Sequence, residues 1–392
     1  MKPILYSLLL LFYLAVSRPM LAAQTKTDVS KVKPVYDVDY EMNFDNREFY
    51  RSRFSKSMTI FGARLTPSVG VSVIQKNRTS HSVMLGIDIM KDFGASDIPG
   101  HIASEGSSET DPSLRNKALF REITMYYGLR VPMKKTSLSL YAGIFPRNFM
   151  DGRYSTAFFS DSLKFYDNNL EGILLKIKRP KAQYELGCDW MGMFGLDRRE
   201  RFMIFSSGEA RVQQWMTLGY SAYMYHFSCS ANADGVVDNM LLNPYVRFSL
   251  GKSSLLDSFD VTLAYLQSLQ NDRLNVGRYV FPRGGELSVE LSRWNVYLRN
   301  SLFYGTDMMP YYNSHDVAGV KYGNILYPGD PFYRVHDDGS GKPGIYDCLD
   351  ISYEPRIGKR ISIRVAALFH FNDGYSGCQQ IVGLKFDLNK AE

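Results

Sequence analysis

The sequence predicts an all-β protein: a transmembrane, antiparallel, up-and-down β-barrel of about sixteen strands. Three observations carry this: an N-terminal secretory signal, a two-residue alternation of apolar and polar side chains along most of the chain, and connections that alternate between short and long. Successive strand residues point to opposite faces. A barrel in lipid therefore shows apolar residues at every second position and never looks uniformly greasy.

Lys2 gives the chain a positive start, Ile4 to Val16 is almost wholly apolar, and Ala22-Ala23 precedes Gln24. That run is too short for a comfortable membrane helix but suits a cleaved signal peptide. Residues 1–23 are accordingly read as the signal, 24–34 as a short periplasmic segment and 35–392 as the barrel. No other stretch approaches the apolar length of a spanning helix.

Composition agrees. Aromatics make up 14%, with 27 Tyr and 24 Phe against 3 Trp. Charged residues are 22% and the mean hydropathy is −0.22. The formal charge of +6 comes without a basic run or nucleic-acid motif, which sets nucleic acid aside as a partner. Cys188, Cys229, Cys348 and Cys378 are too scattered for a disulfide scaffold, although an oxidising compartment would permit a bridge. They form no CxxC or Cys/His cluster, so neither a metal nor a cofactor is expected.

The clearest strands are 58–75, with Phe61, Ala63, Leu65, Val69, Val71 and Val73 on one face, and 83–90, with Val83, Leu85, Ile87 and Ile89. Alternation recurs over 119–130, 137–144, 286–291, 361–370 and 382–388. Less regular candidates are 35–45, 168–178, 182–191, 200–207, 211–226, 239–250, 257–269, 294–304 and 345–353. Residues 200–207 are the weakest, because Phe202, Met203, Ile204 and Phe205 do not alternate. Short links near 76–81, 132–136, 179–181, 208–210, 251–256, 292–293 and 354–358 interleave with longer ones near 46–57, 94–117, 146–167, 192–199, 227–238, 270–283 and 305–344. The short link at 372–376 breaks the rule. Short periplasmic turns and long external loops are the habit of outer-membrane barrels. A secreted β-sandwich also alternates, but does not require links in strict turn.

The ending Val382-Gly-Leu-Lys-Phe386-Asp-Leu388, with the signal and the repeated dyads, resembles porin-like outer-membrane proteins of Gram-negative bacteria. The chain departs from them in carrying Asn389 to Glu392 beyond the last strand, so it does not end on an aromatic residue. Asn43 to Phe49 and Phe61 to Pro67 look like uncharacterised barrel proteins of gut-type bacteria. The resemblance implies outer-membrane lipid and the barrel-assembly machinery as partners, passage of small polar solutes as function, and homo-oligomers as one form.

The alternation aims a set of charges inward: Arg64, Arg130, Lys176, Lys178, Arg247, Arg299, Arg364 and Lys385 against Asp88, Glu122, Glu185, Asp189, Asp260, Glu286, Glu290, Asp350 and Asp387. They line a selective constriction, or stitch the lumen together as ion pairs. Their near-balance argues against strong ion selectivity. In the longest loop, 305–344, Tyr311, Tyr312, Asp316, Tyr327 and Tyr333 are candidates for contacting a ligand such as a sugar. Asp337-Asp338-Gly339 lacks the spaced ligands of a full calcium loop.

Two other functions stay open. One is a non-porous binding or structural barrel. The other is lipid hydrolysis: His226-Phe227-Ser228, with Asn232 nearby, faintly resembles the His/Ser/Asn arrangement of outer-membrane phospholipases. There His would deprotonate Ser and Asn would orient the imidazole. The leading expectation is a channel without catalysis.

Overall fold

A computed structural model describes residues 29–50, 57–93, 120–251, 253–336, 341–372 and 374–389. The expected signal and the Asp337–Gly339 stretch lie outside them. Sixteen antiparallel strands close into one barrel. They are β1 (Val29–Tyr50), β2 (Met58–Gln75), β3 (Ser80–Asp92), β4 (Phe120–Pro132), β5 (Ser137–Pro146), β6 (Asn169–Arg179), β7 (Ala182–Gly192) and β8 (Arg201–Gln213). There follow β9 (Met216–Phe227), β10 (Val237–Leu250), β11 (Ser258–Asp272), β12 (Arg283–Arg293), β13 (Val296–Gly305), β14 (Gly344–Tyr353), β15 (Ile361–Asn372) and β16 (Tyr375–Asn389). A two-residue piece, Arg356–Ile357, also pairs with β15. β1 starts at Val29, inside the segment expected to precede the barrel.

Each strand pairs with its sequence neighbour, and β1 pairs with β16 from Asp37↔Asn389 to Tyr50↔Ser376. That seam removes the last free edge, which hydrocarbon would not tolerate. The links 76–79, 133–136, 180–181, 214–215, 251–257, 294–295 and 354–360 gather at one end with Val29 of β1 and Asn389 of β16. The longer links among the described residues, 147–168, 193–200, 228–236 and 273–282, lie at the other, as the parity rule demands. By the same rule the first end is periplasmic.

The two faces separate by chemistry. On β2 and β3 the outward set is Phe61, Val69, Val71, Val83, Leu85 and Ile87, all exposed on the isolated chain. The inward set includes Arg64, Thr66, Ser72 and Asp88, all buried. β8 shows why its alternation was obscure. Its inward Met203 and Phe205 are as apolar as its outward Phe202 and Ile204, because they pack on aromatic residues filling the lumen.

Glycine matters where strands approach closely. Gly143 on β5 has φ +124°, and a Cβ there would stand 2.2 Å from the carbonyl oxygen of Met125 on β4. A Gly143→Ala variant should lose about 1–3 kcal/mol of stability, seen as a lower temperature for the heat-induced shift in gel mobility. Leu85→Arg, on the lipid face, should cost about 2–4 kcal/mol where Leu85→Ala costs less. Equal tolerance of Arg and Ala at Leu85 would contradict the assigned face.

Candidate functional site: a plugged lumen with a cavity along one wall

Two external loops fold into the barrel. The first, 147–168, carries a short helix, Asp161–Tyr166, capped by the Ser160 hydroxyl, which accepts from the Leu163 N–H. The second, 306–343, carries two short helical turns, Gly323–Leu326 and Pro331–Tyr333. Their aromatic residues Phe158, Phe159, Phe165, Tyr311, Tyr312, Tyr322, Tyr327, Phe332 and Tyr333 are buried against the inner wall, forming a plug.

The loops lock to each other through backbone. Ser160 N–H donates to Pro328 O at 2.9 Å and Asp330 N–H to Thr156 O at 2.8 Å. Between these bonds sits Gly329, where a Cβ would lie 2.0 Å from Ala157 O. This contact requires glycine for closeness rather than for backbone angle.

Wall charges hold the plug in place. Arg147 reaches Asp189 at 2.9 Å and Asp167 at 3.2 Å. Asp151 meets Lys176 at 2.7 Å and Lys178 at 2.9 Å. Burial would raise the Asp151 carboxyl, yet the two ammonium groups hold it below its ordinary value. Tyr154 donates to Glu185, Tyr333 and Ser155 to Glu286, and Arg153 to Glu290. Tyr327 donates to Gln270 at 2.6 Å, Tyr225 to Ile325 O at 2.8 Å, and Asn372 to Phe332 O at 2.7 Å. Buried Asp316 pairs with Arg199 at 2.9 Å.

The sequence-derived charges therefore split. Lys176, Lys178, Glu185, Asp189, Glu286 and Glu290 clamp the plug. Arg64 pairs with Asp88 at 3.0 Å and donates to Tyr166 O at 2.9 Å, while Asn169 bridges Asp88 and Glu122. Arg247 pairs with Glu209 at 3.0 Å, and Ser249 donates to Asp260. Arg299 and Arg364 share Asp350 at 3.2 and 2.8 Å, with Glu354 beside them. Lys385 meets Glu41 at 2.8 Å, and Arg130 is exposed at the periplasmic end of β4. Tyr311, Tyr312, Tyr327 and Tyr333, the candidate ligand contacts of this loop, are buried in the plug, where the loop turns inward and packs its aromatic faces, and Tyr312 also lines the cavity beside the plug. Asp316 is taken up by Arg199.

The plug is held from β6, β7, β9, β11 and β12 and from Asn372 of β15. Against β1, β2, β15 and β16 a cavity of about 700 Å³ remains. It follows the inner face of β1 from Asp39 through Glu41, Asn43, Asp45 and Arg47 to Phe49, about 33 Å of strand at 3.3 Å per residue. Its lining holds seven acidic residues (Asp39, Glu41, Asp45, Asp161, Asp330, Glu354, Asp387) and seven basic ones (Arg47, Arg64, Arg147, Lys164, Arg356, Arg364, Lys385). The β1 and loop members of this set were missed in the sequence. The β1 signal was nevertheless present: acidic residues at 37, 39, 41 and 45 alternate with Val38, Tyr40, Met42 and Phe44.

Asp330 sits where the plug meets the cavity. Burial raises its carboxyl to about 6, opposed by the Phe332 N–H. A carboxyl raised on seating favours the seated loop while protonated. That contribution is present near pH 4 and is lost as pH rises through about 6. Protease cleavage within 306–343 should accelerate over that window, and Asp330→Asn should flatten the dependence. Gly329→Ala should weaken seating by about 1–3 kcal/mol through overpacking and raise cleavage at every pH.

Among the described residues the four cysteines are unpaired and no cluster of potential metal ligands occurs. His226, on the outer face near the external end of β9, lies with its ring centroid 4.9 Å from that of Phe202. Ser228, just past the strand, donates to Cys229 Sγ at 3.7 Å. Asn232 donates to Asp197 at 2.7 Å and does not orient His226, because the 228–236 link carries it to a different loop. The residue opposite His226 in register is Asp238, which is held by Arg273 at 2.7 Å and accepts from the Tyr279 hydroxyl at 3.2 Å.

No curated protein matches the sequence. Among solved structures, the barrel is similar to OpdL of Pseudomonas aeruginosa, with TM-score 0.51 and 11% identity over 91% of this chain and 99% of that one. It is also similar to OpdO of Pseudomonas aeruginosa, with TM-score 0.50 and 9% identity over 91% and 98%. At such identities the likeness shows the fold. A family model described as lipid A 3'-O-deacylase-type matches residues 35–327. This outer-membrane β-barrel therefore belongs to the lipid A 3'-O-deacylase-type family.

Proposed function

We propose that the protein is a narrow outer-membrane channel for small polar solutes, with neutral or zwitterionic molecules favoured. The cavity beside the plug carries the reading. It runs along one wall from the periplasmic to the external part of β1, and its lining balances seven acids against seven bases. A lumen meant to be sealed has no reason to keep so many ionisable groups on one hydrated face, since burying them costs desolvation. Opposed charges set a transverse field that orients dipolar solutes without excluding either ion. The fold shared with OpdL and OpdO is compatible with this role.

Purified protein in planar bilayers should show stable, small conductance steps, with a reversal potential near zero in asymmetric salt. Replacing 310–334 by a short Gly/Ser linker should raise the conductance severalfold, because that segment supplies half of the plug. Absence of steps in both proteins would overturn the proposal.

A second reading, ester hydrolysis on a lipid, is favoured by the family match and by one local arrangement. His226 stands at the outer wall where acyl chains lie, Ser228 is buried just past the end of its strand, and the Asp238 carboxylate lies on the adjacent strand. His226 would serve as base, Ser228 as nucleophile and Asp238 as orienting acid. The resting contacts of Ser228 with Cys229 and of Asp238 with Arg273 would have to rearrange; catalytic hydrogen bonds are often loose before substrate binds. Release of acyl chains from lipid A, abolished by Ser228→Ala with unchanged conductance, would establish this activity. Equal release by both proteins, or none, would remove it.

A further inference from the structure

Bases collar the periplasmic mouth of the cavity. On β1, Lys31 and Lys33 share the inward parity of Asp37, Asp39 and Glu41, and Lys33 stands opposite the buried Ser72. The link after β2 adds Lys76 and Arg78, brought beside the start of β1 by the Val29↔Gln75 pair. On the other flank, next to β16, the link 354–360 adds Arg356, Lys359 and Arg360. It is tied there by the Asp387 N–H, which donates to Arg360 O at 2.8 Å, and Arg356 lines the cavity itself. All these bases are exposed except Lys33, which is half-buried, so the collar faces water. Segments 29–36, 75–80 and 354–361 hold a single acid, Glu354, already engaged by Arg299 at 2.7 Å and Arg364 at 3.4 Å. The external loops have no such bias: Arg147, Asp151, Arg153, Asp161, Lys164 and Asp167 mix the signs in the first of them.

Behind the collar the sign reverses. Asp39 and Asp387 face each other in register and both line the cavity, with Asp37 buried one inward step away on β1. Glu41 is met by Lys385 at 2.8 Å, so Asp37, Asp39 and Asp387 leave this layer acidic. Along β1, about 20 Å of strand separates Lys33 from Asp39. That exceeds the Debye length of about 8 Å at physiological salt, so on this wall the acids do not cancel the collar. An anion arriving from the periplasm meets attraction first and repulsion next. The attraction scales with the charge of the ion, which favours multivalent species over the chloride around them. We infer that the periplasmic mouth is a binding site for a small multivalent anion, captured by the collar and stopped by the carboxylates behind it, so that it occludes the channel from the periplasmic side. The cavity-lining Arg356 and the inward parity of Lys31 and Lys33 direct the site to a soluble anion rather than to lipid around the barrel.

The test uses the processed protein in dodecyl maltoside at low salt, with pyrophosphate as the probe. Titration calorimetry should show pyrophosphate binding, weakened at least tenfold in an Arg356→Glu/Lys359→Glu/Arg360→Glu variant. Lys134→Glu/Lys135→Glu, on a turn that does not line the cavity, should bind as wild type does. All three proteins should keep the heat-induced gel shift, which separates loss of the site from loss of fold. In planar bilayers, pyrophosphate on the periplasmic side should reversibly lower the conductance, and on the external side should leave it unchanged. No binding by wild type, no weakening in the triple variant, or equal weakening in both variants would overturn the inference. So would a conducting protein blocked no better from the periplasmic side than from the external one. Native mass spectrometry that finds phosphatidylglycerol held by the collar, and no pyrophosphate, would assign it to lipid headgroups and overturn it too. Occlusion rests on the channel reading and binding does not: a protein that binds pyrophosphate without conducting removes the channel and keeps the site.

Discussion

The structure depends on one constraint: inside hydrocarbon, each backbone N–H and C=O must find its partner within the protein. A sheet meets that demand only by closing, and the fourteen-pair seam between β1 and β16 closes it here. Closure then dictates the rest. One face of each strand must be apolar for lipid, and the other encloses a volume that side chains of sixteen strands do not fill alone. The two inward loops occupy part of that volume and leave a cavity of about 700 Å³ beside them.

The plug is held by a division of labour. Aromatic packing supplies most of the buried area, and the ion pairs and hydrogen bonds fix its position. Buried charges such as Arg147 with Asp189, or Arg199 with Asp316, are weak as net stabilisers because desolvation offsets attraction, but breaking one partner leaves a costly orphan. Such pairs therefore specify where each loop sits more than they strengthen it. The cavity persists against β1, β2, β15 and β16, where charged inward residues such as Asp39 and Arg47 stand among apolar ones such as Ile60 and Leu368.

Much of the fold was legible because the lipid face obeys a strict period. Val83, Leu85, Ile87 and Ile89 could be read directly, as could the parity of the links. β8 was obscure because a plugged lumen allows apolar residues inward, so Met203 and Phe205 erased the alternation of their strand. The charges on β2, β6 and β7 could be assigned to the inner face, yet their partners could not be foreseen. Asp189 is paired by Arg147 from a loop whose inward turn no local pattern announces. Tyr311, Tyr312, Tyr327 and Tyr333 read as stacking faces for a ligand, although their composition suits a packed plug equally well. His226 and Ser228 were visible as a pair, but Asp238 was not, since strand register places it beside His226.

The central claim is that water reaches the inner face of β1 along its length while the plug remains seated. Single cysteines placed in turn from position 39 to 48, in a chain with its four native cysteines replaced by serine, can be probed with a charged, membrane-impermeant thiol reagent. The account predicts rapid modification at 39, 41, 43, 45 and 47, and protection by lipid at 40, 42 and 44. Protection of the odd positions as complete as that of their even neighbours would mean that the lumen is dry there, and the account would fail.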